Sequence, residues 1–195
     1  FDTFYKITLE EALKHPNWNM GNKITVDSAT MMNKGLEFIE AYWLFGINQN
    51  QIDIVVHPQS IIHSMVEFID GSIKAQLGEP DMRGPIQYAL SYPLRLKSKI
   101  KNFNFSNYQL TFEKPDLNKF PCIQLAKDAL SSGGSHQVVL NVANDLVVAK
   151  FLNKKIGFND IPKIIHQCIL SHDSIEKPNL DEIENLSTWT KEYLN

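Results

Sequence analysis

The spacing of apolar positions separates a helical final third of the chain from a mixed first half. In the final third, apolar residues recur every three or four positions, which is typical of amphipathic helices. This spacing predicts helices over residues 121–132, 137–153, 159–171 and 179–194. Leu140, Val147 and Phe151 are expected to lie in the core of a small bundle.

Helix signals also occur near the beginning of the chain. Thr8 and Glu11 have the spacing of a capping box, so we predict a short helix that ends before Pro16. Residues 23–27 alternate between polar and β-branched side chains, which favours a short strand or extended segment. Ser28 is then predicted to be the N-cap of a long helix over residues 29–45, which Gly46 ends.

The next segment carries strand signals. Residues 52–56 and 61–69 are rich in β-branched side chains, and Asp70-Gly71 predicts a two-residue hairpin turn into a strand over 72–77. A helix is predicted near residues 86–91, before Pro93. Residues 94–116 are predicted to be a linker with a short strand at 108–112.

These elements predict an α+β fold. It comprises a part with a β-hairpin-containing sheet over residues 1–93, a linker over 94–116 and a helical bundle over 117–195.

Composition and charge exclude several classes of function. The chain is 43% hydrophobic and 21% charged, with a formal net charge of −3 and scattered cationic residues. A nucleic-acid or polybasic membrane role is therefore not expected. No run approaches the roughly 20 apolar residues of a membrane span. Cys122 and Cys168 lack metal or redox spacing, so we expect reduced, buried thiols.

The densest group of chemically capable residues lies between positions 27 and 37. On a helix, Asn33, Lys34 and Glu37 would share one face within an arc of about 100°. Together with Ser28 at a helix N-terminus, Asn33 and Lys34 could hold a phosphate, leaving Glu37 to bind a hard divalent cation. The alternative is a solvated helix face with a Lys34–Glu37 ion pair.

Three other segments are weaker candidates. The loop over residues 15–21 carries Trp18, either on a lid that closes over a ligand or as a cover for the core. His57 and His63 are either metal ligands or histidines of the core or of a supporting shell. Glu79 and Asp81, in the segment GEPDM, either bring another carboxylate to the same pocket or belong to a turn.

Several motifs, in one order along the chain, carry a resemblance to a known enzyme family. They are HPNWNMG at 15–21, VDSATMMNKGLE at 26–37, HPQSIIHS at 57–64, GEPDM at 78–82 and LNVAN at 140–144. Over about residues 9–165, the chain resembles the 1-deoxy-D-xylulose-5-phosphate reductoisomerases of the methylerythritol phosphate pathway.

The resemblance implies an activity. Enzymes of this family isomerise 1-deoxy-D-xylulose 5-phosphate and reduce the product with NADPH to 2-C-methyl-D-erythritol 4-phosphate. They need a divalent metal such as Mg²⁺, Mn²⁺ or Co²⁺. Residues 1–93 would then be the C-terminal portion of the substrate- and metal-binding catalytic domain, and residues 117–195 a C-terminal helical domain.

The resemblance also implies roles for individual residues. Ser28, Asn33 and Lys34 would be phosphate ligands, and Glu37 a metal ligand that also contacts substrate. His15, Trp18 and Met20 would belong to the lid, with His15 near the phosphate and Met20, next to Gly21, towards the nicotinamide. His15, Trp18 and Lys34 are the residues expected to act in catalysis.

The resemblance has implications for assembly and location as well. The hairpin over residues 66–77 is expected to serve a homodimer interface. A bacterial cytoplasm is the expected location, with a plastid-type organelle as the alternative. No nucleic-acid or membrane partner is expected.

Nothing in the 195 residues resembles the family's NADPH-binding βαβ unit or its Asp-Ser-Glu motif, which supplies two more metal carboxylates. Both are expected upstream, so we predict that this chain alone is catalytically inert. Two other functions stay open. One is a non-catalytic phosphosugar-binding module, and the other is a helical interaction domain with a degenerate first half.

Overall fold

The computed structural model describes residues 7–14, 20–101 and 103–195. Within these ranges the chain forms α-helices and one two-stranded antiparallel sheet, which confirms the α+β class. It divides into two compact units, one of residues 1–54 and 115–195 and the other of residues 55–114. No helix in the described ranges has both the length and the apolar character needed to cross a membrane.

The first unit is helical. Its helices are α1 (Leu9–Ala12), α2 (Asn22–Thr30), α3 (Met32–Phe45), α5 (Pro121–Ser132), α6 (His136–Leu152), α7 (Asp160–Ser171) and α8 (Leu180–Leu194). The second unit contains α4 (Arg83–Ser91) and the strands β1 (Ile62–Glu67) and β2 (Ile73–Leu77). The four predicted C-terminal helices are confirmed to within one residue at each end.

The core of the first unit forms around α6. The side chains of Leu140, Val147 and Phe151 are buried, as expected, and α6 packs against α5, α7, α8 and α2. Local signals fix the ends of these helices: Pro121 occupies the first turn of α5, and Asn179 caps α8 in a capping box with Glu182. The capping box of Thr8 and Glu11 in α1 is also present.

Two predictions for residues 23–45 are wrong. Residues 23–27 are helical rather than extended, because Val26, Asp27 and Thr30 bury one helical face and this tertiary packing overrides β propensity. The expected single helix over 29–45 is two helices, α2 and α3, which meet at Met31. Gly46 ends α3 in the left-handed conformation, as predicted.

In the second unit, β1 and β2 form the predicted hairpin with Glu67 opposite Ile73. Its loop has three residues rather than two, because the Phe68 N–H donates to the Ser72 carbonyl at 2.8 Å. Gly71 takes the positive φ of 79° that this turn needs.

The strand predicted over 108–112 does not form, and residues 52–56 contribute a single bridge, between Val56 and Glu113. Side-chain hydrogen bonds, rather than further backbone pairs, connect these two segments. Gln59 hydrogen-bonds both the backbone and the hydroxyl of Thr111, and His57 Nδ1 lies 2.8 Å from the Thr111 carbonyl oxygen.

The compact units do not follow the expected boundaries. Residues 94–114, most of the predicted linker, group with the second unit. Helix α3 packs on α5, and α2 on α6, so elements from before position 54 share a core with the C-terminal helices. The functional assignment of 1–93 and 117–195 to separate domains stays a prediction.

Candidate functional site

The candidate phosphate and metal residues lie on both sides of the junction between α2 and α3. Met31 adopts φ 58° and ψ 18°, the left-handed conformation that costs a non-glycine residue about 1–2 kcal/mol. Its N–H donates to the Ser28 carbonyl, and its carbonyl accepts from the N–H groups of Lys34 and Gly35, each at 3.2 Å. The junction thus ends one helix and begins the next within a single residue.

Ser28 is not an N-cap, contrary to the prediction. Helix α2 begins six residues earlier, after Gly21, so Ser28 lies in its last turn. The Ser28 hydroxyl donates to the Ile24 carbonyl at 2.9 Å. Ser28 therefore cannot bind an anion as the N-cap of a helix, although the residue is partly exposed and close to the junction.

Asn33, Lys34 and Glu37 all lie in the first two turns of α3, as the helical spacing required. Lys34 Nζ donates to both Glu37 carboxylate oxygens, at 2.8 and 2.7 Å. The two side chains remain 42% and 53% exposed, respectively. The ion pair expected under the alternative interpretation is thus present, and both charges are accessible from solvent.

The opposite face of α3 fixes the position of these side chains. Met32 and Phe38 are buried, and Gly35 lies directly against α5. A Cβ built at Gly35 would stand 2.7 Å from the Ala126 Cβ and 3.2 Å from the Cys122 carbonyl oxygen. Only a glycine allows this approach, so Lys34 and Glu37 sit on a helix held tightly on its inner side.

Both cysteines are free, buried thiols, as predicted. Burial raises the pKa of Cys122 to about 12, and the nearby negative charge of Asp27 acts in the same direction while a hydrogen bond with Thr30 opposes it. Burial also raises the pKa of Cys168 to about 11. Neither thiol is poised to act as a nucleophile at neutral pH.

The predicted lid falls largely outside the described residues. His15 and Trp18 lie outside them, so their roles stay predictions. Met20 is partly buried and Gly21 exposed, directly before α2. The Gly21 carbonyl accepts from the N–H and the hydroxyl of Thr25, at 3.1 and 2.9 Å, which ties the end of the predicted lid segment to the first turn of α2.

The two histidines of the 57–64 motif differ in environment. His57 is partly buried and stacks on Phe112 with ring centroids 4.8 Å apart, whereas His63 is exposed on β1. Across the part of the chain that the structure describes, no three His, Cys, Asp or Glu side chains gather to form a metal site. His57 therefore packs inside the second unit, and exposure excludes His63 from the core.

The acidic residues of the 78–82 motif have local partners. Asp81 is paired with Arg83, whose guanidinium hydrogen bonds lower the pKa of Asp81 to about 2. Glu79 accepts from the Tyr108 hydroxyl at 3.2 Å. Both contacts lie within the second unit and agree with the turn interpretation of this motif.

Glu37 has the right chemistry for one position of a magnesium or manganese site. Its carboxylate is a hard oxygen donor and is accessible. Mg²⁺ prefers six oxygen ligands and retains several waters, so one carboxylate is compatible with part of such a site. The other ligands would come from substrate, water or residues outside the described ranges.

The polar contacts that support α2 were not predicted from the sequence. Asn144 is fully buried in α6 and donates to Asp27, which is 1% exposed, at 2.9 Å. Lys23 pairs with both Asp27 and Asp145. One sequence feature could have indicated them. Asn144 is a polar residue on the helical face of Leu140, Val147 and Phe151, where an apolar side chain would be expected.

Two models of reductoisomerase domains match the chain. The "DXP reductoisomerase C-terminal domain" matches residues 77–193, and the "1-deoxy-D-xylulose 5-phosphate reductoisomerase C-terminal domain" matches residues 1–45. The first match alone covers more than half of the 195 residues.

Curated relatives give the same family. The chain is 56% identical over 193 residues to the 1-deoxy-D-xylulose 5-phosphate reductoisomerase of Thermoanaerobacter pseudethanolicus, covering 97% of this chain and 50% of that protein. It is 55% identical over 184 residues to the enzyme of the same name from Prosthecochloris aestuarii, covering 94% and 48%.

Solved structures agree in fold. The Zymomonas mobilis reductoisomerase in complex with NADPH has a TM-score of 0.90 at 42% identity, covering 99% of this chain and 49% of that one. A DOX-P reductoisomerase in complex with NADPH, fosmidomycin and magnesium has a TM-score of 0.92 at 42% identity, covering 99% and 50%. The chain spans about half the length of the relatives it matches, and it belongs to the 1-deoxy-D-xylulose 5-phosphate reductoisomerase family.

Proposed function

We propose that this chain is the C-terminal half of an NADPH-dependent enzyme that converts 1-deoxy-D-xylulose 5-phosphate to 2-C-methyl-D-erythritol 4-phosphate. The observation that carries the proposal is 56% identity over 97% of the chain to a protein named for this activity. The intact 26–37 motif supports it, because Lys34 and Glu37 lie on one accessible helix face.

In this proposal the phosphate of the substrate is held by Ser28, Asn33 and Lys34. Lys34 would supply a full positive charge and Asn33 a hydrogen-bond donor from the start of α3, and the Ser28 hydroxyl would turn from the Ile24 carbonyl to the phosphate. Since the phosphate is remote from the reacting carbons, its binding energy would serve to fix the orientation of the substrate.

Glu37 would contribute one carboxylate to a divalent cation, proposed to be Mg²⁺, Mn²⁺ or Co²⁺. When bound, such an ion stabilises negative charge on the substrate's oxygens. Lys34 would then leave Glu37 and turn to the phosphate, so each partner of the ion pair takes a separate ligand. His15, Trp18 and Met20 would form a lid that excludes water, with Met20 and Gly21 on the NADPH side.

The hairpin of β1 and β2 supports a proposed homodimer. Met65, Val66, Phe68, Ile69 and Ile73 are all exposed on it. Within the described residues the sheet has two strands, so both of its edges can pair. We expect Val66→Glu to shift the complete gene product to monomer in analytical ultracentrifugation, and Lys97→Glu, at an exposed position outside the hairpin, to leave it dimeric.

The location proposed is the bacterial cytoplasm, supported by the bacterial sources of the relatives. Interaction with nucleic acid or membrane is not part of the proposal.

The test compares the product of the complete coding sequence with the 195-residue chain alone. NADPH oxidation dependent on 1-deoxy-D-xylulose 5-phosphate is expected from the former and not from the latter. Glu37→Gln should lower turnover and raise the metal concentration needed for half activity. The matched control is Glu40→Gln, an exposed carboxylate one turn along α3.

Turnover by the 195-residue chain would contradict its proposed inactivity. A complete product that binds the sugar phosphate but never oxidises NADPH would instead favour the non-catalytic phosphosugar-binding module. If Lys34→Ala and Glu37→Gln both behave as wild type in every assay, the helical interaction domain becomes the better interpretation.

A further inference from the structure

We propose that the buried pair of Asp27 and Asn144 is a positioning unit that sets the α2–α3 junction and thereby the phosphate-binding side chains that follow it. This inference rests on the proposed function, since it assigns a role in binding the same sugar phosphate. Neither residue touches the accessible face of Lys34 and Glu37, so the pair would act through the backbone rather than on substrate.

Each oxygen of the buried Asp27 carboxylate has a polar partner. Asn144 Nδ2 donates to Asp27 Oδ1 at 2.9 Å, and Lys23 Nζ lies 2.7 Å from Asp27 Oδ2. Lys23 also reaches Asp145 at 2.8 Å. Desolvation, the largest influence on Lys23, lowers its pKa, but the hydrogen bonds to Asp145 and Asp27 outweigh it and raise the pKa overall.

Hydrogen bonds from the backbone of Asp27 lead on across the junction. The Thr30 hydroxyl donates towards the carbonyls of Val26 and Asp27, at 3.1 and 3.2 Å. The same hydroxyl accepts from the N–H of Met32, the first residue of α3, at 3.4 Å. Asn144 on α6 therefore holds Asp27, and Asp27 is linked through Thr30 to the start of the helix that carries Asn33 and Lys34.

The chemistry of Asn144 also favours a positioning role over simple packing. Its stripe on α6 is otherwise apolar, and its Oδ1 is buried without a hydrogen-bond partner among the described residues. A leucine or alanine would avoid that penalty but would leave the Asp27 carboxylate buried with one partner fewer. The amide of Asn144 thus lowers stability through its unpaired oxygen but orients the Asp27 carboxylate, as expected of a positioning residue.

Two measurements test the proposal independently. In the complete gene product, Asn144→Ala should raise KM for the sugar phosphate about tenfold while kcat changes by about threefold or less, because binding common to ground and transition states is lost. In the 195-residue chain, the same substitution should speed amide hydrogen exchange at residues 31–35 about tenfold relative to α8.

Val147→Ala is the matched control, since Val147 is equally buried on α6 and makes no polar contact. This substitution should lower the free energy of unfolding and leave KM unchanged. Amide hydrogen exchange at residues 31–35 should be accelerated no more than in α8. The double exchange Asp27→Asn with Asn144→Asp restores an amide–carboxylate hydrogen bond and should return KM most of the way to the wild-type value.

The proposal is overturned if hydrogen exchange at residues 31–35 in Asn144→Ala keeps pace with α8. It is equally overturned if Val147→Ala raises KM as much, since the effect would then be general loss of stability. A wild-type gene product without turnover would instead refute the proposed function, and hydrogen exchange would still decide whether the pair sets the junction.

Discussion

Replacing Gly35 by alanine tests how tightly α3 is held against α5. Alanine is preferred over glycine inside a helix by about 1 kcal/mol, so propensity alone predicts a more stable protein. The structure predicts the opposite sign. The new Cβ would stand 2.7 Å from the Ala126 Cβ and 3.2 Å from a backbone oxygen of Cys122.

The magnitude follows from these distances. Carbon atoms pack at about 3.5–4.0 Å, so α3 and α5 would have to separate by roughly 1 Å. Overpacking a dense core costs about 1–3 kcal/mol, and the helix preference returns about 1 kcal/mol of it. The net expectation is a loss of about 1 kcal/mol in the free energy of unfolding.

Urea unfolding followed by far-UV circular dichroism measures this loss. With a slope of about 2 kcal/mol per molar urea, the midpoint should fall by about 0.5 M. Gly21→Ala is the control, because a Cβ there meets nothing within 4 Å. Adding Ala126→Gly to Gly35→Ala removes the closest clash and should restore part of the loss. A raised midpoint for Gly35→Ala would refute the close approach of the two helices.

Three further outcomes are expected. Gly134→Ala should lower the free energy of unfolding by about 3 kcal/mol in thermal unfolding, because φ is +50° and the Cβ would lie 2.2 Å from the Ile175 carbonyl oxygen. Gly133 also has a positive φ but has open space around it, so Gly133→Ala should cost clearly less. Equal losses in the two variants would contradict this. Cys122 should resist iodoacetamide at pH 8 until the chain unfolds. Burial raises the pKa of the Cys122 thiol from 9.0 to about 12, so this thiol should not change the free energy of unfolding below pH 9. As the pH rises from 9 towards 12, the free energy of unfolding in urea titrations should fall by about 1.4 kcal/mol per pH unit. Labelling of the native chain would contradict both expectations. Asn179→Ala should lose about 1 kcal/mol with the capping box of α8, and an unchanged unfolding midpoint would refute that.

The C-terminal helices could be predicted from sequence because their signals are local. Proline in the first turn of α5, the capping box at Asn179 and the apolar spacing all act within a few residues of one another. The hairpin was predictable for the same reason. Its loop length was not, since Asp70-Gly71 fits both the two-residue turn and the three-residue loop that the structure contains.

The candidate site was predictable only in part. Helical spacing correctly grouped Asn33, Lys34 and Glu37, and it also allowed for the ion pair. The break at Met31 was not predictable, because methionine carries no signal for the left-handed conformation. Helix α2, which ends at this break, packs against α6, more than a hundred residues away in sequence, and the hydrogen bond between Asp27 and Asn144 spans the same separation.

The ion pair of Lys34 and Glu37 has a thermodynamic consequence for a chain that binds phosphate through one residue and a cation through the other. Either ligand must first separate the pair, which is worth about 0.2–1 kcal/mol at an exposed site. Whichever ligand arrives first meets that cost, and the second finds its partner side chain already released. Under the proposed function, phosphate and metal would therefore be linked with positive cooperativity of up to about fivefold, and each would tighten the other by the same factor.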